Sequence, residues 1–455
     1  MLTWEEVASA VGAAASGPSL TIRGVATDTR SLAPGALFVA LRGQRFDGHA
    51  FLAEAATRGA VAALTERPRE PGWPPCLVVP DTRRALGQLA GYWRRRMGVP
   101  VIAVTGSNGK TSVKELTARI MAATGPGIAT QGNLNNDIGL PLTLLRLGHH
   151  DRYAVVEIGM NRPGEIAALG AIAHPDVAIV TNAGAAHLAG LGTVQAVAAE
   201  KGSLYSSLPP AGVAVINADD AYAGYWRTLA PGPVLTFGLG SSADVSAQFV
   251  TDPEGSDLHI TAPAWDEPLR VRLPLLGAHN VVNALAATAA ALALGASAEA
   301  VARGLAGAVP VAGRLQSTRA AGGAWLIDDS YNANPDSARA ALAVLAALPG
   351  ERWFVLGDMA ELGVQAPSLH ADFGAACRRA GIEHLWTLGP LSQGACAAFG
   401  ANGRHYETHD ALVQDLQAVL HPNAVVLVKG SRSMGMDAVT SGLRAAGGPD
   451  VSAHP

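Results

Sequence analysis

An apolar run, Val99-Pro-Val-Ile-Ala-Val-Thr105, leads into Gly106-Ser-Asn-Gly109 and then Lys110-Thr111-Ser112. Strand, glycine turn and helix start follow one another in the order that a phosphate-binding loop requires. Glycines let backbone N–H groups approach phosphate oxygens, and the helix dipole favours negative charge there. Lys110 adds a point charge, and Thr111 offers a hydroxyl to Mg²⁺. The loop is the shorter form, because Val104 stands where a full G-x-x-x-x-G-K-S/T pattern has its first glycine. ATP or GTP is the expected occupant; the competing reading is a plain turn with a solvated lysine.

Two later apolar runs end in polar residues: Tyr153-Ala-Val-Val-Glu157, and Val177-Ala-Ile-Val-Thr181-Asn, with His187 five residues further on. In parallel sheets such carboxyl ends face the nucleotide crevice. Glu157 can then give Mg²⁺ a hard oxygen, and His187 a nitrogen to a second ion. A lone histidine after a strand is more often a satisfied loop or core residue, and Glu157 alone reads also as an ion-pair partner; only their convergence on one sheet edge favours catalysis. Lys201, on a helix after His187, reads from spacing as an exposed helical lysine.

The elements that position these groups define the fold class. Strands alternate with helices from Val99 to Asn217, and the pattern restarts at Trp325–Asp328, Trp353–Leu356, His384–Leu388 and Val425–Val428. Such alternation argues for mainly parallel sheets covered on both faces. A smaller α/β unit precedes them, with a composition break at Arg94-Arg-Arg96. The expected class is α/β with three domains: residues 1–97, a central P-loop unit at 98–313, and a Rossmann-like unit at 314–455.

The 455 residues include 33 Lys+Arg against 37 Asp+Glu, a net charge of −4, so nothing global favours nucleic acid or an acidic membrane. With 49% apolar and 5% aromatic residues, the chain reads as a helix-rich globular enzyme. Cys76, Cys377 and Cys396 lie far apart and make no zinc spacing, which suits reduced cytosolic thiols. The amino end lacks the pattern of a secretory signal, and the Ala-rich stretch Val281–Gly313 reads as buried helices. A cytoplasmic location is expected.

Taken together the motifs resemble the Mur ligases, ATP-dependent amide-bond formers of peptidoglycan precursor synthesis. The supporting segments run in order along nearly the whole chain: Asp28-Thr29-Arg30, Arg45-Phe46-Asp-Gly-His49, Thr105 to Ser112, Gly132-Asn133-Leu-Asn135-Asn136-Asp-Ile-Gly139 and Glu157-Ile-Gly. They continue with Leu276 to Asn283, Gly313-Arg314, Asp328-Asp329-Ser-Tyr-Asn332-Ala-Asn334-Pro335, Leu356 to Gly363 and Val428-Lys429-Gly-Ser431-Arg432. No Asp-Asn-Pro-Arg segment of the third-residue-adding relatives is present. The resemblance therefore points to the branch that adds D-alanyl-D-alanine to UDP-N-acetylmuramoyl-tripeptide.

Implied roles follow from that resemblance. Gly106, Ser107, Asn108, Gly109, Lys110, Thr111, Ser112, Asn280, Asn283, Arg314 and Asp329 would bind ATP. Lys110 and Arg314 would stabilise the transferred phosphoryl group; Thr111, Glu157, His187 and a carbamylated Lys201 would hold Mg²⁺. Asp28, Thr29, Arg30, Phe46, Asn133, Asn135 and Asn136 would meet the UDP-sugar peptide. Asn332, Asn334, Lys429, Ser431 and Arg432 would complete the site from the third domain. A monomer is implied, with no nucleic-acid partner and no membrane insertion. Ser203 stands where relatives often have Glu, and Asp328 competes with Asp329 for the ribose. For Asn280 and Asn283 the plain alternative is helix capping, for Asp28-Thr29-Arg30 an ion-paired turn, and for the Asn-rich segment a turn. Alternatives in function are a sibling that adds one amino acid, a folylpolyglutamate-type ligase, or a nucleotide-dependent switch.

Overall fold

A computed structural model describes residues 1–455 except 15–16, 44–45, 187, 241, 253–254 and 445–455, so Arg45 and His187 lie outside the described residues. The chain builds three main sheets. The first is parallel, pairing Gly24–Ala26, Ala36–Val39, Ala62–Thr65 and Cys76–Val78 in chain order. The central sheet is wholly parallel, in the order Val234–Phe237, Val213–Asn217, Val177–Val180, Val101–Thr105, Ala154–Glu157, Ile128–Ala129. The last runs Gln316–Arg319, Trp325–Asp329, Ala424–Lys429, Glu351–Gly357, His384–Leu388, Gly403–Tyr406, parallel except for its first strand.

The central strands read as unbroken apolar runs because helices cover both faces. Successive side chains alternate between faces, so Val101 and Ala103 join one core while Ile102 and Val104 join another. Ala154 and Val156 against Val155 repeat the division. One of these cores also takes in Leu86, Leu89 and Trp93 of the helix Thr82–Met97, so the first unit and the central sheet share apolar packing. The third unit keeps its own two cores, to which the central unit adds Leu276.

The basic run Arg94–Arg96 is the last turn of that shared helix. Arg94 is buried, donating from Nε to Ala173 O at 3.0 Å and from Nη2 to Asp176 Oδ2 at 2.6 Å. A difference from the sequence reading is an antiparallel sheet, Ser246–Asp252, Gly255–Thr261 and Leu269–Leu273. Its middle strand alternates buried and exposed residues, so no continuous apolar run announced it. The Ala-rich stretch forms the helices Ala278–Ala293 and Ala298–Ala306. Among the described residues no helix is long and apolar enough to cross a membrane.

Candidate active site

A cleft of about 1540 Å³ opens where the carboxyl ends of the central and last sheets face each other. Its floor is the phosphate loop, between the strand Val101–Thr105 and the helix Lys110–Met121. Gly106 has φ +150°, and a Cβ there would lie 1.8 Å from Thr181 Oγ1; Gly109 has φ +82°, and a Cβ there would lie 2.3 Å from Asn283 Oδ1. Both positions demand glycine on conformation and on space. The turn is tied to the next strand end: Asn108 N donates to Asn182 Oδ1 at 2.9 Å, and Thr181 Oγ1 donates to Asn108 O at 2.5 Å. Lys110 Nζ donates to Gly106 O at 2.8 Å. Burial pushes this amine below the usual lysine range, Arg314 acting in the same direction and Glu157 against it.

Beside the loop, Thr111 Oγ1 donates to Glu157 Oε2 at 2.8 Å, Asn135 Nδ2 donates to Glu157 Oε1 at 2.8 Å, and Arg314 Nη2 donates to Thr111 Oγ1 at 3.0 Å. A hydroxyl and a buried carboxylate in contact are hard oxygen donors of the kind Mg²⁺ takes, leaving room for phosphate oxygens. The structure thus joins Thr111, Glu157 and Arg314 in one cluster, while His187 lies outside the described residues. Lys201, on the helix Val194–Gly202, is buried rather than exposed, contrary to the reading from spacing. Burial holds its amine well below the lysine range; neighbouring Lys110 pushes further the same way and Glu200 opposes.

Asn280 and Asn283 stand buried on the cleft wall, and neither caps a helix. Asn280 Nδ2 donates to Leu276 O at 2.8 Å and Asn283 Nδ2 to Asn280 Oδ1 at 3.0 Å, while Gly277 holds the N-cap position. Next to them His279, which spacing did not single out, also lines the cleft. Burial, aided by Lys429, lowers its imidazole to about 4, so it is neutral at pH 7.

Adjacent strand residues face opposite ways, and this separates the two aspartates. Asp328 turns from the cleft to Ser330 Oγ at 2.6 Å and Thr440 Oγ1 at 3.2 Å. Asp329 faces the cleft and accepts from Lys429 Nζ at 2.6 Å. Burial pushes the Asp329 carboxyl up and Lys429 pulls it down. Asp329→Ala strands the buried Lys429 charge, so a loss of about 3–5 kcal/mol in unfolding free energy is expected, read from the urea midpoint.

Among the other candidates of the third unit, Lys429 and Ser431 have their polar heads engaged within the fold. Lys429 Nζ also donates to Asn332 O at 2.9 Å, and Ser431 Oγ accepts from Ala360 N at 2.7 Å. Asn334 caps the helix Pro335–Ala347 and donates from Nδ2 to Asn108 Oδ1 at 2.9 Å, crossing to the phosphate loop. Asp336 makes a second crossing by accepting from Ala185 N at 2.8 Å; spacing gave no sign of it, since an acidic residue in a first helical turn is ordinary. Ser107, Ser112 and Arg432 line the cleft.

The first unit's candidates stand apart from this cleft. Asp28 caps the short turn Thr29–Ser31 and pairs with Arg30 at 2.6 Å, which lowers its carboxyl to about 2. Thr29 is buried, and Phe46 is 74% exposed. Asn135 and Asn136 line the cleft and Asn133 does not. Asn136 Oδ1 accepts from Gly139 N at 2.9 Å, the turn role expected of such a segment.

Comparison with known proteins agrees with this architecture. Residues 21–94 match the Mur ligase family catalytic domain, 104–291 the Mur ligase middle domain, and 313–432 the Mur ligase glutamate ligase domain. The UDP-N-acetylmuramoyl-tripeptide–D-alanyl-D-alanine ligase of Escherichia coli (strain K12) is 42% identical over 437 residues, covering 94% of this chain and 95% of its own. A crystal structure of MurF from Acinetobacter baumannii superposes with TM-score 0.90 at 35% identity, over 97% of this chain and 98% of that one. The MurF ligase from Thermotoga maritima in complex with ADP gives TM-score 0.83 at 27% identity, over 92% and 96% of the two chains. With similarity running the length of the chain and every unit matched, the chain belongs to the Mur ligase family.

Proposed function

We propose that this chain joins D-alanyl-D-alanine to UDP-N-acetylmuramoyl-tripeptide at the expense of ATP, making the pentapeptide precursor of peptidoglycan. The observation that carries the reading is the contact of Thr111, Glu157 and Arg314 beside Lys110 at one sheet edge. A carboxylate acylates an amine only after activation. Its oxygen therefore attacks the ATP γ-phosphorus, and the bond to the ADP oxygen breaks. Lys110 and Arg314 balance the charge that gathers on the phosphoryl oxygens. The free amine of D-alanyl-D-alanine then adds to the acyl carbon, loses its proton, and expels inorganic phosphate.

Thr111, Glu157, His187 and Lys201 would hold Mg²⁺, which when bound neutralises phosphate charge. Lys201 would act as a carbamate: burial and Lys110 disfavour its ammonium form, the neutral amine adds CO₂, and the product is a carboxylate-like ligand. Asn280, Asn283 and Asp329 would hold the nucleoside, and Asp28, Thr29, Arg30 and Phe46 the UDP moiety. Asn133, Asn135 and Asn136 would lie along the peptide path. Asn332, Asn334, Lys429, Ser431 and Arg432 would close the site from the third unit. In this reading the domains divide at 1–97, 98–313 and 314–455, and the enzyme works as a cytoplasmic monomer. Closure over the acyl phosphate would exclude the water that hydrolyses it.

Phosphate release measured with ATP, Mg²⁺ and UDP-N-acetylmuramoyl-tripeptide is expected to depend on D-alanyl-D-alanine. Dependence on a single amino acid would instead mark a sibling ligase, and release indifferent to every amine would mark a nucleotide switch.

A further inference from the structure

Arg314 sits on an unusual corner. Gly313 before it has φ +68° and Leu315 after it has φ +50°, a conformation that leucine rarely adopts. Two contacts from the last sheet hold the corner: Tyr331 N donates to Gly313 O at 3.0 Å, and Leu315 N donates to Asp329 Oδ1 at 3.3 Å. A Cβ on Gly313 would lie 3.0 Å from Tyr331 N, so the tyrosine packs directly on the glycine.

The Tyr331 ring then meets two cations. The guanidinium carbon of Arg314 lies 4.5 Å from its centroid and that of Arg432 lies 5.6 Å away. Both are within the range at which an aromatic face attracts a cation. Arg314 also reaches Thr111 through Nη2, while its buried Nε has no hydrogen-bond partner among the described residues. Arg432 is exposed at the cleft. Two like charges brought to one site repel unless something between them draws both.

We propose that Tyr331 is a positioning residue whose ring serves both arginines at once, setting Arg314 toward the transferred phosphoryl group and Arg432 toward the carboxylate of the incoming dipeptide. The inference rests on the ligase reading above, and it assigns the aromatic face rather than the phenol hydroxyl. The ring comes from the loop that follows the strand Trp325–Asp329 of the last sheet and Arg314 from the junction before that sheet, so docking of the third unit and orientation of the phosphoryl-binding arginine are one event.

The test is steady-state kinetics on full-length Tyr331→Leu, Tyr331→Met and Tyr331→Phe, with thermal melting as the check on folding. Leu or Met is expected to lower kcat/KM for D-alanyl-D-alanine by about 30-fold, through both a lower kcat and a higher KM. KM for UDP-N-acetylmuramoyl-tripeptide stays within about twofold, since nothing here touches that end. Phe restores kcat/KM to within about threefold, because the ring remains. Arg432→Ala does less harm in the Tyr331→Leu background than alone, as coupled residues do. A Phe variant as poor as Leu would assign the hydroxyl to substrate and overturn the proposal. So would folded Leu and Met variants that keep wild-type kinetics, or additive losses with Arg432→Ala. Wild-type phosphate release that ignores D-alanyl-D-alanine would overturn the ligase reading itself, which separates the two failures.

Discussion

Replacing Lys110 with methionine is expected to lower kcat by about 10³-fold while leaving the folded state no less stable. The two halves of that result have one cause. In the resting chain the half-buried ammonium donates to Gly106 O at 2.8 Å; burial and Arg314 disfavour its charge there, and Glu157 favours it. Methionine keeps most of the side-chain volume and gives up one part-exposed hydrogen bond, so the urea midpoint is expected to hold. In the proposed transfer the same ammonium would face phosphoryl oxygens, where no neutral side chain can replace it. Single-turnover phosphate release and equilibrium unfolding of the same variant check the split. A variant that keeps more than about a tenth of wild-type kcat would remove Lys110 from the chemistry.

Stripping CO₂ from the assay is expected to abolish most activity, with bicarbonate restoring it, and Lys201→Met is expected to fall at least about 100-fold in either buffer. An ordinary lysine is protonated at pH 7 and cannot add CO₂. Burial and the adjacent Lys110 push the Lys201 amine well below the lysine range, which favours the free base that adds CO₂. Addition would form an N–C bond, release a proton and place an anion beside the Lys110 cation where a neutral amine stood. Carbon-13 bicarbonate gives the second readout, a carbamate resonance present in the wild type and missing from Lys201→Met. Full activity without CO₂, and no such resonance, would leave Lys201 acting as a plain amine.

These two lysines differ in how far the sequence reveals them. The placement of Lys110 is legible because neighbours in the chain announce it: a strand, two glycines and a helix start. Lys201 is not, because it lies among alanines on a short helix whose covered side depends on which distant strands it meets. The pair Asp328-Asp329 shows the same limit in finer form. Strand alternation says that one of them faces the cleft, and the pairing of Asp329 with Lys429 across the sheet decides which. Asp336 was invisible for the opposite reason, its role being a backbone contact made across the chain to Ala185. The fold class was readable from the rhythm of strands and helices. The antiparallel sheet Ser246–Leu273 and the buried Arg94 were not, since both use residues whose polarity imitates surface.

The oil-like interior runs without a break from the first hundred residues into the sheet that carries the phosphate loop, whereas the seam beyond Gly313 is fastened largely by polar bonds such as Asn334 to Asn108 and Asp336 to Ala185. Prying the molecule apart should therefore begin at that hydrophilic suture, with the two leading portions coming away as a single casting.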